Sequence, residues 1–292
     1  MEKVFLCGCS YVWNMYDYIQ HHTCSEKPAP LSGDNPYQNI GCTCNRVKNI
    51  SSITVPSHAY HEHGYKQYPT SQLDTIKYTN MADTGTSNEN MVRKIIEVVS
   101  EIGLDNFDDT VFYVGWTDFV RFEVYNNLKE KYMRMGLEKQ AWSDTKHWRY
   151  HMKYYLNQSD MFRKYLEQII FLQSFFNDND IKYVFFDSLD NLLSSYAKKY
   201  REKYKKIFSM IDLDKWAIGD TRRLSSRAKF DGKTRHSVES WKEDKNYYSF
   251  QSYLNTIEKY VRGNKHKYWK DDGHPNSLGC KEWFKVLNRI AQ

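Results

Sequence analysis

The chain has 292 residues, 40% of them hydrophobic and 27% charged, with a formal net charge of +6. This length and balance suit a soluble globular fold with a substantial core. No apolar run approaches the roughly 20 residues that a membrane-spanning helix needs, so no membrane partner is expected.

Taken in order, Lys3 to Cys7 is a short apolar run that predicts a first strand, ending at Gly8-Cys9-Ser10. This start is too short for a secretory signal and lacks a small-residue cleavage site. The expected location is therefore cytoplasmic, with virion association as an alternative. From Tyr11 to Gln72 no period persists, and Pro, Gly, Ser, Asn and His are frequent, which predicts an insertion with irregular structure. Ile76 to Ala82 reads as a second strand leading into Asp83-Thr84-Gly85-Thr86-Ser87-Asn88. Met91, Ile95, Val98, Val99 and Ile102 then recur at helical spacing.

Thr110 to Val114 predicts a third strand, closed by Gly115-Trp116-Thr117-Asp118, and Phe119 to Asn157 reads as a polar and aromatic helical excursion. Ser159 is the expected N-cap of a helix carrying Phe162, Leu166, Ile169, Ile170 and Phe176. Lys182 to Phe186 predicts a fourth strand, ending at Asp187-Ser188, whose carboxylate is expected to cap a helix over Leu189 to Phe208. Beyond Ile211 the signal is weak, with a short strand at Trp216 to Ile218 and a helix around Tyr253 to Val261. A last helix is expected over Ser277 to Ile290. Such alternation implies an α/β fold of about five parallel strands with helices on both faces. With no repeat or clean linker, residues 1–292 read as one domain with insertions at about 11–75, 119–157 and 190–265.

Five of the six cysteines, Cys7, Cys9, Cys24, Cys42 and Cys44, lie near the start of the chain. Cys24, Cys42 and Cys44 with His58, His61 and His63 supply enough ligands for zinc, but the spacing fits no zinc knuckle. Neither a metal nor a cofactor is expected. Two basic runs, Lys198–Lys206 and Arg222–Arg235, each carry six basic residues against one acid. They read as a solvated helix face and a basic loop, with contact to a polyanion as the alternative and nucleic acid disfavoured.

The chemistry concentrates in four loops. Asp271-Asp272-Gly273-His274-Pro275-Asn276 places an acid three residues before a His on a turn, a spacing that lets the carboxylate orient its own imidazole. Ser10 follows the first strand, at the end of a sheet where open α/β folds place their chemistry. In order, the Ser10, Gly85, Gly115-Trp116-Thr117-Asp118 and Asp271-to-His274 blocks resemble those of the SGNH (GDSL-type) hydrolase family.

That resemblance covers less than half the chain. It implies a flavodoxin-like three-layer α/β/α sandwich and a serine esterase removing an acyl group, most plausibly acetyl, from a carbohydrate or similar polar ester. It makes Ser10 the nucleophile, His274 the general base and Asp271 its orienting acid. The amides of Ser10 and Gly85 would contribute to the oxyanion hole. Cys9 stands where the family has Asp, and Thr117 stands at its oxyanion-hole Asn, with Asn88 as a candidate to support that hole. The competing reading is a catalytically weak or inactive protein of the same fold, such as a virus-particle or assembly component.

Overall fold

The computed structural model describes residues 3–9, 11, 12, 15, 19, 47–56, 65–73, 76–83, 86–127, 131–135, 157–189, 192, 197–217, 219–220, 247–260, 268 and 274–290. In chain order its strands and helices are β1 (Lys3–Gly8), β2 (Val47–Pro56), β3 (Tyr65–Leu73), β4 (Ile76–Asn80), α1 (Asn88–Ile102), β5 (Thr110–Trp116), β6 (Phe122–Asn126), β7 (Lys131–Met135) and α2 (Gln158–Asp178). There follow β8 (Lys182–Asp187), α3 (Lys198–Lys203), α4 (Lys205–Phe208), β9 (Gly219–Asp220), β10 (Tyr247–Tyr248), α5 (Phe250–Tyr260) and α6 (Ser277–Ile290).

The fold is mixed α/β. Its main sheet has six strands in the order β2-β3-β4-β1-β5-β8. The four strands β4, β1, β5 and β8 are mutually parallel. An isolated parallel bridge from Phe185 to Trp216 extends the β8 edge at the position where the sequence predicts a short strand.

The strands β1, β5 and β8 each carry a continuous apolar run because both their faces are buried, whereas β4 includes Lys77, Thr79 and Asn80. In β1, Phe5 and Cys7 point to one core while Val4 and Leu6 point to the other. The same alternation holds for Phe112 and Val114 against Val111 and Tyr113, and for Tyr183 and Phe185 against Val184 and Phe186. One core is closed by α1 (Met91, Ile95, Val98, Val99) and α2 (Phe162, Leu166, Ile169, Phe176). The other is closed by α5 (Phe250, Leu254, Ile257) and α6 (Trp283, Val286, Leu287). At roughly 1.5–3 kcal/mol per fully buried large apolar side chain, these stripes fix which face each helix presents.

Several sequence expectations are corrected. The 11–75 insertion is not irregular throughout. Its β2 and β3 join the main sheet antiparallel to one another and to β4, so the sheet is mixed and larger than about five parallel strands. Tyr11, Val12, Met15 and Ile19 are helical and buried, and Val12, Met15 and Ile19 show the spacing of a helix stripe that a polar surround obscures. Within 119–157, Phe122–Asn126 and Lys131–Met135 form an antiparallel hairpin, not a helix. Its aromatics meet across the strands, Tyr125 facing Tyr132 at 5.1 Å, a cross-strand pair that outweighs local helix propensity.

The cap of α2 is Asn157, whose side chain accepts from the backbone N–H groups of Ser159 and Asp160. Among the described residues of Leu189 to Phe208, the helical ones belong to α3 and α4, which break at Tyr204.

Candidate functional site

Three of the predicted loops leave the C-terminal ends of β1, β4 and β5, and backbone bonds hold two of them together. The Met81 N–H donates to the Leu6 carbonyl at 2.8 Å and the Asp83 N–H to the Gly8 carbonyl at 2.9 Å. Gly8 sits at φ +152°, and an added Cβ would lie 2.4 Å from Val12 and 2.7 Å from the Gly115 carbonyl. Gly115, its partner in the β1–β5 register, would likewise drive a Cβ to within 2.5 Å of Val12. The paired glycines let the helical segment containing Val12 settle directly on the strand ends. That packing fixes the path of the chain on both sides of residue 10.

Ser10, Gly85, Asp271, Asp272 and Gly273 lie outside the described residues. Their neighbours are described. Cys9 is fully buried in the α5–α6 core, a place for a small apolar side chain, and its carbonyl accepts from the Val12 N–H at 3.0 Å. Tyr11, also buried, has its ring 5.7 Å from the imidazole of His274 and 5.8 Å from Phe250. The structure thus brings the residue after Ser10 against the residue predicted as base, across nearly the whole chain.

His274 is half-buried and held at the entrance to α6. Asn276 caps that helix, its Oδ1 accepting from the N–H groups of Leu278 and Gly279 at 3.0 Å each. The Asn276 N–H donates to the Tyr268 carbonyl at 2.9 Å, which ties the turn to the preceding segment. Gly279 allows this approach, since a Cβ there would stand 2.6 Å from the Tyr268 carbonyl.

At the third loop, Thr117 is fully buried. Asn88 clamps its backbone: the Asn88 Oδ1 accepts from the Thr117 N–H at 2.9 Å and the Asn88 Nδ2 donates to the Thr117 carbonyl at 3.1 Å. Asn88 therefore supports this loop by holding its peptide. The Thr117 Oγ1 accepts from the Arg121 Nη1 at 3.1 Å. A hydroxyl that spends a lone pair on a guanidinium still has one proton to donate. Arg121 carries no sequence signal beyond standing one helical turn after Thr117.

Two further groups shape the rim, of which Lys94 was not expected from the sequence. Lys94, buried in α1, donates to the Asp83 carboxylate at 2.6 Å, anchoring the start of the loop that carries Gly85. Asp187 is buried at the end of β8, where its two oxygens accept from the Tyr165 hydroxyl at 2.7 Å and the Leu192 N–H at 2.8 Å. It organises the turn after the strand, close to its expected capping role. Burial, and then the Asp187 charge, holds the Tyr165 phenol protonated well above its ordinary range. Burial also pushes the Cys7 thiol up, away from thiolate chemistry.

Among the described residues no group of three or more His, Cys, Asp or Glu could hold a metal ion. Cys24, Cys42, Cys44, His58, His61 and His63 lie outside them. In the basic run Lys198–Lys206, Lys203 donates to the Ser159 Oγ at 2.8 Å and Lys199 lies over the Tyr200 ring. Arg222–Arg235 lies outside the described residues. No helix among the described residues is long and apolar enough to cross a membrane.

These features define a mixed α/β protein with a four-strand parallel core and a loop-built rim at the strand ends. The model of a family of unknown function (DUF6071) matches residues 56–241, well over half of the chain, and the chain belongs to that family. Gly85, Asn88, Thr117 and Arg121 fall within the match, while Ser10, Asp271 and His274 fall outside it. No curated protein and no solved structure matches the chain.

Proposed function

We propose that the chain is a serine esterase of the SGNH type, with a single flavodoxin-like α/β/α domain and Ser10, His274 and Asp271 as its triad. The observation that supports this reading is the contact of Tyr11, the residue after Ser10, with His274, the predicted base. The parallel strand order β4-β1-β5-β8, with Trp216 bridging next to β8, follows the flavodoxin-like pattern, whose ligands sit at the strand ends.

In this mechanism the Ser10 hydroxyl attacks the ester carbonyl carbon while His274 takes its proton. The resulting oxyanion receives the amides of Ser10 and Gly85 and the hydroxyl of Thr117, each fixed donor being worth roughly 3–4 kcal/mol. His274 then returns the proton to the departing alcohol, and water attacks the acyl-enzyme with His274 again as base. Asp271 holds the imidazole tautomer and stabilises its charged form. The substrate is an acylated carbohydrate or a similar polar ester, met in the cytoplasm or on a virus particle.

One observation favours a second reading, a binding or assembly protein that keeps the fold without turnover. The Thr117 hydroxyl is tied to Arg121 and the Asn88 amide to the Thr117 peptide, leaving a weaker hole than a free Asn side chain would make. A fluorophosphonate probe separates the two. The esterase reading expects a single adduct, located on Ser10 by mass spectrometry and lost in Ser10→Ala. An unlabelled, folded protein would favour the second reading.

A further inference from the structure

Between the first turn of α1, the β5–β6 connection and the first turns of α2 lies a cavity of about 290 Å³. That volume is at the lower end for small-molecule sites. Its apolar wall includes Phe119, Phe122 and Met161, and its polar groups carry both signs of charge.

Glu89 supplies the negative side. Its Oε2 accepts from the Glu123 N–H at 2.9 Å, and its Oε1 has no hydrogen-bond partner among the described residues. Burial raises the Glu89 carboxyl above its ordinary range, the mark of an anion short of solvation. Glu123, its neighbour, is already matched by Arg93 at 2.7 Å.

The positive side comes from Arg121, placed by its bond to Thr117, and from Lys164 on α2, whose Nζ also pairs with the Asp160 carboxylate at 3.3 Å. Gln168, one helical turn beyond Lys164, lines the same cavity and makes no hydrogen bond among the described residues.

We propose that this cavity binds a small amino-acid-like zwitterion, with its ammonium on Glu89 and Gln168, its carboxylate toward Lys164 and Arg121, and an apolar side chain against Phe119 and Phe122. The charge pattern selects this class. A simple anion would meet Glu89, a simple cation would meet Lys164 and Arg121, and a neutral polyol would leave the Glu89 charge uncompensated. An ammonium makes a charge-assisted bond to the idle oxygen and gains further from nearby aromatic faces. The proposal does not need the esterase reading, since the charges it uses are those of Glu89, Lys164 and Arg121.

The test is calorimetric titration of the full chain with L-phenylalanine, phenethylamine, 3-phenylpropanoate and glucose. L-Phenylalanine is expected to bind, with each half-ligand weaker by about tenfold or more, as the loss of one charge-assisted bond implies, and with glucose silent. Glu89→Gln keeps the acceptor for the Glu123 N–H and should weaken L-phenylalanine by about tenfold at an unchanged melting temperature or a higher one. Lys164→Met, at an exposed position, should weaken L-phenylalanine while sparing phenethylamine. No binding of L-phenylalanine, tighter binding of glucose, or full binding by Glu89→Gln would each overturn the proposal.

Discussion

Thr117 and Arg121 show how a single hydrogen bond assigns a role to a side chain. A threonine hydroxyl can donate or accept, and the guanidinium at 3.1 Å takes the accepting side. If the Thr117 proton serves the oxyanion, Thr117→Val keeps the shape and removes the donor. Turnover on an activated acetyl ester should then fall by about 100-fold with KM little changed. An unchanged kcat would remove Thr117 from the hole. Glu89 makes a second residue-scale prediction, about stability. Burial raises its carboxyl above the ordinary value of 4.5, against smaller opposing effects led by the Glu123 N–H. The folded chain thus holds that proton more tightly than the unfolded chain. The stability Glu89 contributes is fully present below 4.5 and lost as pH rises through the folded value. Parent and Glu89→Gln should melt alike near about pH 4, and the variant should gain on the parent toward neutrality. A parent that gains on the variant as pH rises would contradict the desolvation argument.

At the scale of elements, the entrance to α6 is the most consequential helix start because His274 stands two residues before its cap. Asn276 satisfies two helix N–H groups at 3.0 Å and ties its own N–H to Tyr268. Asn276→Ala should cost about 1 kcal/mol, read as a lower denaturation midpoint at constant m-value. Asn276→Asp should retain most of that stability. The cap also sets the His274 backbone, so the alanine variant should lose turnover out of proportion to its stability. If both variants kept parental activity, the imidazole would not depend on the cap. The paired Gly8 and Gly115 act on the opposite side of the rim. They allow the chain after β1 to cross the strand ends, which a Cβ at either position would block.

For the whole molecule, two apolar cores on opposite faces of one sheet carry the fold, and the sequence predicts no metal beside them. The Cys and His residues of the insertion lack zinc spacing. Protein purified without chelator should therefore contain well under one zinc per chain by elemental analysis, and its melting temperature should survive dialysis against a chelator. Stoichiometric zinc, with a melting temperature that falls on its removal, would make the insertion a metal-stabilised unit.

Three of the four parallel strands, β1, β5 and β8, were legible because burial on both faces writes a continuous apolar run into consecutive residues, as in Val4 to Cys7 and Val111 to Val114. The strand β4, with its Lys77, Thr79 and Asn80, does not carry such a run. The last helix was legible over Ser277–Ile290 for a related reason, since its cap and its apolar stripe are both local. In the sequence the rim is a set of separate loops, among which Asp271 and His274 carry only a spacing. What joins them is long-range. Asn88 meets Thr117 across 29 positions, and Tyr11 meets His274 across most of the chain. The places of β2 and β3 at the sheet edge, the hairpin at Phe122–Asn126 and the charged cavity beside Glu89 were likewise decided by tertiary packing. A residue's local pattern reports which side of it is buried. Its partner is chosen only when the chain closes.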